Sequence, residues 1–413
     1  MRFTLPQIRK AALQLSVFVL VFSLGWYVNS SFISGTGSIN QIVRKINIDR
    51  NNPEKYSDVD FSLFWRVWDK LETDYYDQSK INEQEMILGA IKGMVSALGD
   101  PYTSFLPPEE QKRTQEDLSG QFEGVGIEIG FRGSRLTVIS PLEGSPAEKA
   151  GVRAGDFIVG IKDEKKGIEV GTGGMTLLDA VDAIRGAAGS KVTLMLTREG
   201  VEQSLEVEIT RAKIEVPSVV LTFRSTSVGE VALLQLKRFG GSTESEWNQA
   251  ISQIQSRKPR AVVLDLRNNP GGYLPTSVNV LSDLLTSGTA VVQDSAATGR
   301  RETAVSGRPR VSEDIKMVVL VNGGSASASE IVAGALRDHN RAQLVGDKTF
   351  GKGTIQEVRP VNGNSGLHIT VARWLTPGGT WVHEKGLEPD VVIEDNPETE
   401  EDEQLSKALE LLK

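Results

Sequence analysis

The chain has 413 residues, 39% hydrophobic and 24% charged, which is ordinary globular material for roughly two or three domains. A net charge of −8 with no long Lys/Arg run excludes the basic footprint of a nucleic-acid binder. There is no cysteine, and the only histidines are His339, His368 and His383, so thiol nucleophiles, thiolate metal sites and disulfide scaffolds are excluded together.

Residues 1–30 speak to location. Arg2, Arg9 and Lys10 precede a largely apolar stretch, Ala11 to Val28. At about 1.5 Å per residue, a helix of that length crosses most of a bilayer core of about 30 Å. The positive flank predicts a cytoplasmic N-terminus and an exported remainder. A cleaved signal peptide has the same order of charge and apolar run, but no clear small-x-small site follows here, so we read an uncleaved anchor and place the rest of the chain in the cell envelope, outside the cytoplasm. Ser, Gly and Asn then dominate without periodicity, and residues 31–59 read as a linker.

Residues 60–118 read as a helical region. Phe61, Phe64, Trp68 and Leu71 recur at helical spacing, as do Ile87, Ile91, Met94 and Leu98, which predicts two helices packed through their apolar faces. From 119 to 213 the pattern turns to short strands, Gly turns and two brief helices, one opened by Pro146 in the first helical position. The segments EGVGIEIG, SPAEKAGVRAGDFIVGI and LLDAVDAIRG resemble a PDZ domain of the bacterial protease type. In such domains a glycine-containing loop offers backbone N–H groups to a peptide's terminal carboxylate, while the peptide adds as a strand. By position that loop is Gly124, Val125, Gly126 and Ile127; the alternative is that these glycines only permit a tight approach to the strand.

Residues 214–395 alternate strand and helix. Val231 to Leu236, Ala261 to Leu266 and Lys316 to Val321 are continuous apolar runs, as expected of a buried α/β sheet. An acidic linker and a last helix complete the chain at 396–413. The chemistry concentrates between Met317 and Gln356. MVVLVNGG runs a strand into a glycine turn, and SASASEIVAGALRD begins a helix among serines. A serine at such a turn is exposed, and the helix N-terminus beside it favours developing negative charge. The histidines offer no convincing base, whereas Lys352 lies in a glycine-flanked loop. A lysine base must be neutral, so burial has to lower its pKa from about 10.4 toward roughly 7 to 8, at a cost of about 4 kcal/mol. Gly346 to Lys352 also matches a phosphate-binding loop in spacing, but Gly353 stands where Ser or Thr would hold Mg²⁺, and a strand pattern follows where a helix is required.

The motifs LGDPYTSFL, LDLRNNPGG, VNGGSASASEIVAGAL, GDKTFGKGTIQ and ITVARWLTPGG resemble, in order, those of the carboxyl-terminal processing peptidases, or tail-specific proteases. The resemblance implies a crotonase-like α/β protease core carrying an inserted PDZ domain and an N-terminal helical region. It implies Ser327 as nucleophile rather than Ser325 or Ser329, Lys352 as base and Gln356 as the residue orienting that lysine. It places the oxyanion hole on the N–H of Ala328 and on one from Gly271 or Gly272, with Pro270 where many relatives have glycine. No metal or cofactor is implied. The partners implied are proteins with exposed apolar C-termini, cut by a serine endopeptidase through an acyl-enzyme, and an oligomer is left open. An inactive PDZ scaffold and a non-proteolytic acyl hydrolase on the same core are the rival readings.

Overall fold

Hydrophobic runs without alternation need cover on both sides, and the central strands of this protein have it. The computed structural model describes residues 55, 58–201, 203–227, 229–306, 309–394 and 401–413; the expected anchor and most of the linker lie outside them. No helix among the described residues is long and apolar enough to cross a membrane. The chain divides into two units, Leu88–Phe122 with Glu215–Lys413, and Glu123–Ile214 with the residues up to Ile87.

In the first unit, six strands lie in the order Val219–Thr226, Gly229–Leu236, Ala261–Asp265, Lys316–Val321, Gln343–Gly346 and Val391–Val392. The first pair is antiparallel and the others are parallel. Successive side chains point to opposite faces. Ala232, Leu234, Val262, Leu264, Val319 and Val321 therefore pack with the helices Thr243–Arg257, Leu274–Leu284 and Ala328–Asp338. Val231, Val263, Val318 and Leu320 meet Ala408 and Leu412 of the C-terminal segment on the other face. A second, antiparallel sheet is built on the long strand Ser365–Leu375, which pairs with Thr354–Val361, Thr289–Ser295 and Ser104–Leu106. That last pairing sets Ser104 opposite His368. It carries the LGDPYTSFL segment, set with the helical region on sequence grounds, into this unit.

In the second unit the strands Ile127–Arg132, Arg135–Pro141, Phe157–Asp163, Lys191–Thr197 and Leu205–Thr210 form an antiparallel sheet over the helix Leu177–Ile184. Its core is closed by Leu136, Val138, Ile158, Ile161, Leu194 and Leu196. Beneath it Arg211, almost fully buried, donates to Asp163, Ile184 and Lys191 and so satisfies carbonyls at the end of that helix.

The helices expected around Trp68 and Ile91 form, as Ser62–Asp74 and Glu83–Ser96. Their expected mode of packing does not hold throughout. Trp68 and Val95 are buried, but Phe61, Phe64 and Leu71 are exposed, and Met94 and Leu98 are each 68% exposed. Helical periodicity defines an apolar face without defining what covers it.

Candidate active site

Asn322 follows the strand Lys316–Val321, and the chain turns through two glycines before the helix Ala328–Asp338. Ser327 caps that helix with φ 54° and ψ −115°, a backbone conformation that side-chain-bearing residues rarely adopt. The three serines, equivalent in composition, have different surroundings. Ser325 is buried, and its hydroxyl donates to the Leu266 carbonyl at 2.8 Å while accepting from the Asn322 N–H. Ser329 is buried and donates to the Asn269 carbonyl at 2.8 Å. Ser327 is partly exposed, and its hydroxyl donates to no backbone carbonyl among the described residues.

The turn after Leu266 wraps the same place. Asn269, fully buried, donates through Nδ2 to the Leu236 carbonyl, and its own carbonyl accepts from the Ala326 N–H. Gly271 at φ 101° is pressed against the serine turn: a Cβ there would lie 2.7 Å from the Ala326 oxygen, 2.8 Å from Ser327 Cβ and 3.0 Å from the Ala328 nitrogen. Only glycine fits. The Gly271 N–H, however, donates to Asn269 Oδ1 at 2.9 Å, while that of Gly272 has no partner among the described residues. The Ala328 N–H, at the first turn of the helix, is likewise without one.

Lys352 lies in the loop between Gly346 and the strand beginning at Thr354. Its N–H donates to Glu330 and its carbonyl accepts from Trp374 Nε1 at 2.9 Å. Burial draws the ammonium below the usual lysine pKa, against the opposing charges of Asp100 and Glu330. Nζ stands 5.2 Å from the centre of the Tyr102 ring. Gln356, expected to orient this lysine, instead donates through Nε2 to the hydroxyls of Thr354 and Thr370, at 2.9 and 3.1 Å. Thr370 in turn helps lower the pKa of the Asp100 carboxylate. Burial raises the Asp100 pKa, but the hydrogen bonds from Thr103 and Thr370 outweigh it and hold the group below the usual carboxylate range.

The residue joining Ser327 to Lys352 was not among those singled out in the sequence. Glu330, fully buried, accepts four hydrogen bonds: from Thr349 Oγ1 at 2.6 Å and the Gly351 N–H at 2.7 Å on one oxygen, and from the N–H groups of Ser327 at 2.8 Å and Lys352 at 2.9 Å on the other. Burial pushes its carboxyl pKa up against the pull of these four donors. The signal was present in the sequence as Ser-x-x-Glu at a helix start, where the third helical residue reaches back to the capping N–H. His368 also proves to be near the site, its pKa lowered by burial and by the charge of Lys352. His339 stays apart, bonded through Nε2 to the Thr289 carbonyl.

In the other unit, the loop Gly124 to Ile127 has its first three residues buried. A Cβ on Gly126, at φ 76°, would sit 2.5 Å from Ser145 Cβ. The carbonyls of Val125 and Gly126 accept from the N–H groups of Ala147 and Leu142, each at 2.9 Å. Close packing onto the helix Pro146–Lys149 is therefore one reason for glycine at 126, whatever else the loop does. Among the described residues no group of three or more His, Asp or Glu side chains is placed to hold a metal ion.

Comparison with known proteins agrees with this architecture. Residues 230–393 match peptidase family S41, residues 137–198 match a PDZ domain, and residues 19–110 match the N-terminal domain of the activating protease CtpB. The carboxy-terminal processing protease CtpA of Bacillus subtilis is 33% identical over 385 residues, covering 93% of this chain and 78% of its own. The carboxy-terminal-processing protease of Bartonella bacilliformis is 37% identical over 384 residues, covering 91% of this chain and 82% of its own. Among solved structures, the photosystem II D1 C-terminal processing protease superposes with a TM-score of 0.50 at 31% identity, over 84% of this chain and 96% of that one. The chain belongs to the carboxy-terminal processing proteases, serine-type peptidases of family S41 that carry a PDZ domain.

Proposed function

We propose that this protease cuts with a Ser/Lys dyad, Ser327 and Lys352, through an acyl-enzyme, on protein chains whose C-termini its PDZ domain holds. The observation carrying this reading is Glu330, whose one carboxylate ties the backbone of Ser327 to that of Lys352. A buried acceptor shared by two catalytic loops fixes the nucleophile beside its base, and orientation of that kind supplies much of the rate in acyl transfer. Neutral Lys352 takes the Ser327 hydroxyl proton as Oγ attacks the peptide carbonyl, then returns it to the leaving amine. Water, deprotonated by the same lysine, releases the acyl group. The Ala328 N–H at the helix N-terminus receives the oxyanion, with a second N–H from the Gly271–Gly272 turn; that of Gly272 is the one not already engaged. Gln356 acts at one remove, through Thr370 and Asp100.

The loop Gly124 to Ile127 takes the terminal carboxylate, and an apolar last residue suits the adjoining apolar core. Residues 11 to 28 anchor the chain, with Arg2, Arg9 and Lys10 on the cytoplasmic side, so that proteolysis occurs outside the cytoplasm. The decisive experiment is cleavage of an unfolded protein with an apolar C-terminus by the parent and by Ser327→Ala and Lys352→Ala. Loss of cleavage in both variants is expected; cleavage at the parent's rate by either overturns the dyad. An intact N-terminus in the mass of the mature protein is expected, and loss of about 30 residues would replace the anchor with a signal peptide.

A further inference from the structure

Lys352 is enclosed by more than its own loop. Trp381 Nε1 donates to the Gly353 carbonyl at 3.0 Å, just as Trp374 Nε1 donates to that of Lys352 at 2.9 Å. A Cβ on Gly353 would meet Trp381 Nε1 and the His383 N–H nitrogen at 2.7 Å, and one on Gly351 would meet the Gly386 nitrogen at 2.8 Å. The residues on both sides of the lysine are thus clamped by the segment 381 to 386. From that segment His383 stacks on Trp381, with ring centres 5.1 Å apart, and meets Tyr102 edge to face at 5.9 Å. His383 Nδ1 is buried with no partner among the described residues, so ring packing rather than a hydrogen bond holds it there. The backbone of Tyr102 is fixed by its own N–H, which donates to Asp100 at 3.0 Å. Its ring closes the row at 5.2 Å from Lys352 Nζ, within the reach of about 6 Å over which an aromatic face attracts a cation.

We propose that Tyr102 is a positioning residue for Lys352: its ring, backed by His383 and Trp381, holds the lysine head at the serine and sets how readily it gives up its proton. The proposal rests on the Ser/Lys reading. The aromatic face favours the ammonium and so opposes the burial that favours the amine. The other groups acting in this part of the site are Asp100 and Glu330, which favour the cation, His368, which the lysine charge disfavours, and Glu384, whose charge reaches Tyr102. Burial and the charges of Glu330, Glu384 and Asp100 raise the Tyr102 phenol above its ordinary value, so the ring stays neutral while Lys352 titrates.

The test is the rate at which a fluorophosphonate labels Ser327 as a function of pH, in the full chain, for the parent, Tyr102→Leu, Tyr102→Phe and Lys352→Ala. Leucine keeps the side chain apolar without a π face, so Tyr102→Leu should move the acidic limb to lower pH by about 0.4 to 1.5 units. Tyr102→Phe should restore the parent's limb. A Tyr102→Leu limb that coincides with the parent's, whether or not the rate falls at every pH, overturns the proposal, because a purely structural role lowers the rate without moving the limb. Should Tyr102→Leu not fold, a ring-fluorinated phenylalanine at position 102 carries the same comparison, since fluorine withdraws the face's negative charge and keeps its shape. Labelling of Lys352→Ala at the parent's rate overturns the dyad itself; an inert Lys352→Ala beside an unshifted Tyr102→Leu overturns only the role of Tyr102.

Discussion

Replacing Glu330 by glutamine tests the link between the loops of Ser327 and Lys352. The carboxylate offers two oxygens to four donors, two donors on each. An amide offers one oxygen and one NH₂ group. If the NH₂ takes the place facing Ser327 and Lys352, both of their N–H groups lose their acceptor. If it takes the other place, the Thr349 hydroxyl can turn to accept, as it already does from Leu387, and among the backbone donors only the Gly351 N–H is orphaned. The second orientation is cheaper, at about 1–3 kcal/mol for one unsatisfied buried donor. For a unit of this size that is a fall in Tm of about 2–12 °C. The activity should suffer more than the stability, because the loop bearing Lys352 must move away from the amide, and a misplacement of about 1 Å is worth about a hundredfold in rate. We therefore expect Glu330→Gln to fold, to bind substrate with little change in KM, and to lose kcat by about 10- to 100-fold; Glu330→Ala, with all four donors orphaned, should be inactive. The assay is steady-state cleavage of an unfolded protein alongside a thermal melt. A folded Glu330→Gln with kcat and Tm equal to the parent's would refute the idea that this carboxylate holds Ser327 and Lys352 together for catalysis.

Three further outcomes follow from the same contacts. Gly271→Ala forces a Cβ to within 2.8 Å of Ser327 Cβ at φ 101°, so it should abolish labelling of Ser327 by a fluorophosphonate; normal labelling would mean that the turn relaxes freely. Lys352→Met removes a cation that burial disfavours. Because the folded pKa lies below the unfolded one, the parent bears this cost in full at low pH and loses it as pH rises through the folded value to the unfolded one near 10.4, so the methionine variant should melt higher at pH 7 by a margin that closes toward about pH 10.5; a margin independent of pH would contradict the burial of the charge. Arg211→Met leaves Asp163 without its guanidinium, and loss of one partner of a buried pair costs about 3–5 kcal/mol. Hydrogen exchange should then show Lys191–Thr197 and Leu205–Thr210 exposed well before the protease sheet, and unchanged protection there would show that the pair is dispensable.

Several parts of this protein are determined by local sequence. The strand Lys316–Val321 and the helix Ala328–Asp338 follow from an apolar run, a glycine turn and a cluster of serines, because each acts over a few residues. Lys352 stands out in the sequence for the glycines that flank it, but the cause of those glycines is tertiary: the backbone of residues 382 to 386 lies where their side chains would be. Composition and periodicity did not distinguish Ser327 from Ser325 and Ser329. That distinction lies in the tertiary structure, where the carbonyls of Leu266 and Asn269, about 60 residues earlier, engage the outer two hydroxyls and leave the middle one without a carbonyl to donate to. Glu330 reads locally as a helix cap, and only folding brings Thr349, Gly351 and Lys352 to its oxygens. Asp100, Tyr102, His368 and His383 are spread along most of the chain, and the strand pairing of Ser104 with His368 and the loop after Trp374 bring them around one lysine. Burial, charge and ring contact act through space over a few ångströms, so the sequence determined which groups are available and the tertiary structure decided which of them the lysine meets.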